Sequence, residues 1–250
     1  MRVALLGDIH SNLEALTAVL GSLAAERIDR YVALGDLVGY NTDPIACLAR
    51  LRELGVTSVA GNHDWACVGK VELGWFNHFA RAAVEWTRNQ LSFGDLNMLR
   101  ALRATHEEQG LTFVHGSLCN PERFEYLLDV GSVLETMRQC RTPICVVGHT
   151  HQPCLVEWDS QTRQVTKVLP SAQHMERVTL QELRRYKYVI NVGSVGQPRD
   201  GDPRACVGIY DTETHLLEVR RVPYDIAVTQ QKILAAELPP FLADRLAMGR

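Results

Sequence analysis

Val3-Ala4-Leu5-Leu6-Gly7-Asp8-Ile9-His10-Ser11-Asn12 is the stretch from which the fold can be read. Four apolar residues without polar alternation describe a strand buried on both faces. Gly7 ends it, and Ser11 with Glu14 three residues later has the capping-box pattern of a helix start. Leu13, Leu16, Val19, Leu20 and Leu23 then form one apolar stripe at helical spacing. The alternation continues outward. Residues 31–34 read as the next strand. Asp43-Pro44 opens a helix with proline at its first position, running to about Leu54, and residues 57–60 read as a third strand. Strands separated by helices of this length build βαβ units and a largely parallel sheet, so the fold class is α/β.

Further along, residues 75–102 carry a helical pattern broken near Ser92-Phe93-Gly94. Residues 111–114 and 144–147 are two more strands, with a helix near 133–138 between them. After His151 the texture changes. Short β-type runs at 155–158, 164–169, 188–192, 205–210 and 216–222 succeed one another with hardly a helix between, which predicts a second, mainly antiparallel sheet. Helices at 225–236 and 241–248 close the chain, and the polar residues 170–185 read as an excursion or a lid. No repeat, low-complexity tract or linker interrupts the chain, so the expectation is one domain over 1–250.

Composition excludes several classes. The chain is 46% hydrophobic with a net charge of −3, from 26 basic and 29 acidic residues and no lysine/arginine block. That argues against disorder, and it gives no reason to expect a stable nucleic-acid partner. Seven cysteines, an odd count without a C-x-x-C, argue against a disulfide framework and a zinc knuckle. The apolar run at the N-terminus is too short for a signal-peptide core, and no run approaches the roughly 18 apolar residues that cross a bilayer. A cytoplasmic location without membrane contact is the expectation; a homo-oligomer is compatible with it.

The chemistry lies at the ends of the early strands. The first runs into Gly7-Asp8-Ile9-His10, the second into Gly35-Asp36, the third into Gly61-Asn62-His63-Asp64, the fourth into His115-Gly116, and the fifth into Gly148-His149-Thr150-His151. In an open α/β sheet ligands bind beyond the carboxyl ends of the strands. Each Gly-Asp alone reads as a turn, and each histidine alone as a satisfied polar contact. Five of the nine histidines, however, fall at strand ends. Imidazole mixed with carboxylate suits divalent zinc, iron or manganese. The ligands exceed what one ion needs, whereas two ions about 3.5–4 Å apart would use them all and serve phosphoester hydrolysis. Water bridging such ions has its pKa lowered to about 7. The helix that Ser11 opens would aim its N-terminus at the same crevice, where phosphate is favoured.

These motifs, in this order from residue 7 to 151, resemble the calcineurin-like metallophosphoesterase superfamily. Residues 191–204, beginning Asn191-Val192-Gly193-Ser194, resemble a late loop of its small prokaryotic phosphodiesterase branch, although that branch more often has proline where Val192 stands. The resemblance implies a four-layer αββα sandwich of two mixed sheets flanked by helices. It also implies a ligand set. One ion would take Asp8, His10, Asp36 and His151, and the other Asp36, Asn62, His115 and His149, with Asp36 bridging. His63 would stand over the leaving group as general acid or hydrogen-bond donor, and Asp64 would either orient it or make a structural contact elsewhere. Asn12 is a phosphate contact or a helix cap, Tyr40 a pocket wall or a loop-shaping residue, and Arg199 a phosphate clamp or a surface ion pair with Asp200 or Asp202. Two divalent ions are the implied cofactors, manganese first, with iron, zinc, nickel or magnesium as alternatives.

The implied function is metal-dependent hydrolysis of a small soluble phosphoester. Superfamily members acting on phosphoproteins or dinucleoside polyphosphates usually carry Asp-Arg-Gly shortly after the second Gly-Asp. Here the stretch is Gly35-Asp36-Leu37-Val38-Gly39-Tyr40, without an arginine, which tilts the reading toward a phosphodiesterase. A phosphomonoesterase or dinucleoside polyphosphate hydrolase is the alternative. A catalytically idle scaffold, as in a retromer subunit of similar fold, would lack ligands that this chain keeps. A nuclease would want a basic groove with stacking aromatics.

Overall fold

Both faces of β1 (Arg2–Leu6) are covered, which explains its unbroken apolar run: Val3 and Leu5 pack to one side, Ala4 and Leu6 to the other. The computed structural model describes all 250 residues. β1 pairs in parallel with β2 (Arg30–Ala33), and β2 with β3 (Thr57–Ser58), through α1 (Leu13–Leu23) and α2 (Pro44–Glu53). The cap of α1 is Asn12, one residue later than expected. Its side chain accepts from the Ala15 amide at 3.0 Å, whereas Ser11 sits at φ 55°, outside the extended region a cap needs. β3 is also shorter than expected. Beyond Ser58 the chain leaves β2, and Val59 instead forms a lone parallel bridge to Arg103.

After α3 (Asn62–Cys67) come α4 (His78–Gln90) and α5 (Phe93–Ala101), separated where Ser92 and Asp95 form a reciprocal capping box. β4 (Thr105–Glu108), which the sequence pattern does not reveal, pairs antiparallel with β5 (Leu111–Val114). Next are α6 (Val130–Gln139), β6 (Ile144–Val147), β7 (Cys154–Asp159), β8 (Gln164–Leu169), β9 (Val178–Thr179), β10 (Tyr186–Asn191), β11 (Ala205–Asp211), β12 (Leu216–Val222), α7 (Ile226–Ala235) and α8 (Pro240–Met248).

The strands form two six-stranded sheets, ordered β3-β2-β1-β11-β12-β9 and β4-β5-β6-β10-β7-β8. Both are mixed, which corrects the expectation of a separate, mainly antiparallel late sheet. β11 and β12 extend the first sheet by pairing antiparallel beside β1, while β10 lies parallel to β6 in the second. Between the sheets Val3, Leu5, Val32 and Leu34 meet Phe113, Ile144, Val146, Leu155, Tyr188 and Ile190. Outside the first sheet, Ala4 and Leu6 pack with Leu16, Val19, Leu48 and Leu51 of α1 and α2; outside the second, Val133, Met137 and Cys140 cover Val147, Val156 and Val189. The result is a four-layer αββα sandwich.

Residues 170–185 form no lid. They place Ala172, Met175, Val178 and Leu180 in the inter-sheet core, and β9 pairs with β12. No helix is long and apolar enough to cross a membrane.

Candidate metal centre and cleft

The strand ends read from the sequence do converge, but at an edge shared by two sheets: Asp8, Asp36 and Asn62 come after strands of the first, His115, His149 and His151 after strands of the second. Backbone hydrogen bonds stitch the loops together, with His10 N donating to Asp36 O at 2.9 Å, Val195 N to Gly7 O at 2.7 Å and Gly196 N to Asp8 O at 3.0 Å. A Cβ at Gly7 would run into the Gly193 main chain, and one at Gly196 into that of Ile9, so these approaches need glycine. Asp8, His10, Asp36, His149 and His151 all lie at positive φ, between 48° and 68°. Such a conformation costs an L-residue roughly 1–2 kcal/mol, and here it gathers at one place in the molecule.

Two acceptor clusters result. Asp8, His10, Asp36 and His151 bring ligand atoms within 4.8 Å of one another, as do Asp36, His115 and His149, and all are buried. One oxygen belongs to both: Asp36 Oδ2 lies 3.5 Å from His10 Nε2 and 3.3 Å from His115 Nε2. Its other oxygen is occupied by the His63 amide at 2.9 Å. Asn62 Oδ1 joins the second cluster 3.2 Å from His115 Nε2.

The donor set fits divalent cations. The Nδ1 atoms of His10, His115 and His151 each face a main-chain carbonyl, of Val38 at 3.0 Å, Leu34 at 2.7 Å and Gln197 at 2.6 Å. A carbonyl only accepts, so Nδ1 carries the proton and Nε2 offers its lone pair inward. His10 Nε2 and His151 Nε2 are 3.2 Å apart, two lone pairs facing each other. Asp8 Oδ2 is buried without a hydrogen-bond partner, while Asp8 Oδ1 accepts from the His149 amide at 3.0 Å. Converging buried acceptors without donors are costly unless a cation lies among them.

The charges within the cluster oppose one another in the same way. Burial raises Asp8 to about 7 and holds His10, His149 and His151 well below their ordinary values. Burial also opposes a charge on His115, but the Asp36 carboxylate together with Asp8 and the Leu34 carbonyl lifts the imidazole to about 9. Burial works to raise Asp36 too, yet His115, His63 and His10 hold it well below the usual range.

Above the clusters opens a cleft of about 580 Å³, lined among others by Asp36, Asn62, His63, His149 and His151. His63 stands with its ring against Tyr40 (4.4 Å), His10 (4.8 Å) and Phe76 (5.0 Å), and its Nδ1 is buried without a partner. Burial lowers its pKa to about 4. Asp64 does not orient it. The Asp64 carboxylate accepts from the amides of Leu37 (2.9 Å), Val38 (3.2 Å) and Gly61 (2.9 Å), holding the turn after β2 against the start of α3. Asp64 therefore makes the structural contact, and its expected catalytic assignment is corrected. Asn12 is corrected likewise. It lies outside the cleft, fully buried, capping α1 through Oδ1 and donating from Nδ2 to Gly196 O at 2.9 Å. Tyr40 and Arg199 do line the cleft. Arg199 makes no ion pair; Asp200 pairs with Arg221, and Asp202 with Arg204 at 2.6 Å. Its guanidinium donates to Gln197 Oε1 at 2.9 Å.

Several cleft residues carry no signal in the sequence. Tyr126 stacks on His149 with centroids 3.7 Å apart, and Lys70, Phe76 and Arg123 complete the walls. Trp75 also lines the cleft and is 71% exposed. None of the unsignalled residues sits at a strand end, so no motif marks them.

The model of the calcineurin-like phosphoesterase superfamily domain matches residues 1–215, and the chain belongs to that superfamily. It is thus a metallophosphoesterase, a phosphoester hydrolase of the class that uses a dinuclear divalent metal centre. Its relatives include an uncharacterized protein of Methanocaldococcus jannaschii, 36% identical over 254 residues that cover 99% of this chain and 98% of the relative. Among solved structures, a metallophosphoesterase from Sphaerobacter thermophilus is 38% identical with a TM-score of 0.84, covering 100% of this chain and 99% of that one. A hypothetical protein from Pyrococcus horikoshii OT3 shares the fold at 21% identity and a TM-score of 0.78, covering 100% and 98%.

Proposed function

We propose that this protein is a phosphodiesterase acting on a small soluble substrate, with two divalent ions held by Asp8, His10, Asp36 and His151 on one side and by Asp36, Asn62, His115 and His149 on the other. The observation that carries the reading is the single oxygen Asp36 Oδ2 standing between the two acceptor clusters on the lining of the cleft. When bound, the ions would polarise the phosphoryl oxygens and lower the pKa of the attacking water. The remaining steps belong to the chain. His63, with Nδ1 shut off from any acceptor, has Nε2 left to face the cleft and donates a proton or hydrogen bond to the leaving oxygen. Tyr40 and Phe76 fix its ring, and Arg199 offers its fork to a phosphate group of the substrate. Residues 1–250 act as one domain in this reading.

Diester preference rests on the absence of an arginine in the turn after Asp36; Arg199 in the cleft without a carboxylate partner favours a second reading as a phosphomonoesterase. Hydrolysis of bis-(p-nitrophenyl) phosphate and p-nitrophenyl phosphate, with manganese, iron, zinc, nickel or magnesium supplied in turn, separates the two. Higher kcat/KM on the diester, abolished by chelator, is the expected result. Robust diester hydrolysis in metal-free protein would sink the mechanism.

A further inference from the structure

α7 and α8 lie beyond the residues matched by the superfamily model, yet they pack against Tyr40 of the cleft lining. Ile233, Leu238, Leu242 and Leu246 pack in one cluster with Tyr40, and Phe241 stacks on Phe79 of α4 with centroids 4.4 Å apart. That packing places Arg245 against the Tyr40 ring, its guanidinium carbon 5.8 Å from the centroid, while Arg199 lies 5.5 Å from the same centroid. A second tie fixes the two arginines relative to each other. Gly201 N donates to Gly249 O at 3.0 Å, so the loop carrying Arg199 is hydrogen-bonded to the end of the helix carrying Arg245. Gly249 is the left-handed cap of α8 at φ 61°, and a Cβ there would meet the Asp202 backbone at 2.8 Å.

Two guanidiniums held on one ring repel each other and call for a counter-charge. Neither has a side-chain carboxylate within 4.0 Å; Arg199 donates to Gln197 Oε1, and Arg245 Nε to the main-chain oxygen of Arg250. Burial, and next the charge of Arg199, pull Arg245 down to about 10. The acidic residues of the cleft walls, Glu72, Glu122 and Glu125, pair with neither arginine. From this geometry we infer that Arg199 and Arg245, both held against Tyr40, form a subsite for a second phosphate group, so that the preferred substrates carry a further phosphate beside the scissile one.

The subsite rests on the reading of the cleft as a phosphoester site, but binding tests it separately from turnover. The probes are α,ω-alkanediol bisphosphates of increasing chain length, each compared with the alkyl monophosphate of the same length by titration calorimetry on the manganese-loaded protein. One chain length should bind at least about tenfold more tightly than its monophosphate, since a hydrogen bond to a charged group contributes about 1.5–3 kcal/mol. In Arg245→Gln the ratio should fall to near one, and in Arg245→Lys to an intermediate value, because a point charge lacks the fork. Equal affinity at every length in the wild type, or a ratio unchanged in a folded Arg245→Gln, would overturn the subsite. A bisphosphate preference without any diester hydrolysis would leave the subsite standing and refute the hydrolase reading alone.

Discussion

Asp36→Asn offers the sharpest test of a shared centre, because the geometry assigns one oxygen to both clusters. The amide keeps the shape and can still accept the His63 amide proton where Asp36 Oδ1 does at 2.9 Å. Its NH2 would face the lone pairs of His10 and His115, which lie 3.5 Å and 3.3 Å from Oδ2. The metal-free fold should therefore survive, with a melting temperature no lower than that of metal-free wild type. The metal-dependent part should disappear. An ion at 100-fold its Kd stabilises the native state by about 2.7 kcal/mol, so two ions add about 5.4 kcal/mol. For a chain of this size each kcal/mol moves Tm by about 2–4 °C, giving a shift of roughly 11–22 °C between chelated and manganese-loaded wild type.

His10 belongs to one cluster and His149 to the other. Their alanine variants should each keep about half of that shift, whereas Asp36→Asn should lose nearly all of it in one substitution. Differential scanning fluorimetry, with metal content measured by plasma emission, reads all four proteins. An Asp36→Asn protein that keeps half the shift and one full-occupancy ion would show that the carboxylate serves a single site, and the reasoning from Oδ2 would be wrong.

His63→Ala should lower turnover by roughly 10²–10⁴-fold with metal content intact, and loss of metal in that variant would show a ligand role instead. Gly39→Ala should act through the same side chain. Gly39 sits at φ 93° and a Cβ would come 2.5 Å from His63 Nδ1, so the ring must move. About 1–3 kcal/mol of stability and about 10²-fold in kcat should be lost, and an unchanged kcat would contradict the placement of His63. Away from the cleft, Arg185 donates to Asp159 at 2.7 Å and 3.1 Å and holds its carboxyl down to about 2, below the ordinary 3.8. This stabilisation is present above 3.8 and lost as pH falls through 2; the urea-midpoint difference between wild type and Arg185→Ala should shrink across that window, and a constant difference would refute the coupling.

Local features carried most of what could be read from the sequence. Each early strand ends in a glycine, aspartate or histidine because the chain turns there into a buried polar site, and such turns leave a mark within a few residues. Pairing leaves none. Residues 205–210 read as a strand, but nothing in their alternation says that Val3 will lie opposite Tyr210 and so carry β11 into the first sheet. β4 escapes notice because Thr105–Glu108 is a polar edge strand without an apolar face. Asp64 illustrates a different limit. Its neighbour in sequence is His63, but a carboxylate at the start of α3 finds three main-chain amides closer to hand. Arg245 lies in an amphipathic helix well beyond the last motif, and only packing against Tyr40 gives it meaning.

The charge of the cleft bears on what size of ligand it suits. Apart from Arg199, its walls carry Lys70 and Arg123 against Glu72, Glu122 and Glu125. A long polyanion laid along them would meet at least as many carboxylates as cations, in a chain whose net charge is already −3. Positive potential would instead be concentrated at two points. One is the metal centre, where two divalent ions would exceed the charges of Asp8 and Asp36 by two, since the imidazoles there bind as neutral ligands. The other is the Arg199–Arg245 pair at the Tyr40 ring. Two separated points of positive charge, between walls that carry no excess of cations, select a compact ligand with two phosphates over a strand with many. The three imidazoles whose Nδ1 protons are held by Leu34, Val38 and Gln197 are fixed with Nε2 turned inward, an arrangement that suits cations and would add to their affinity.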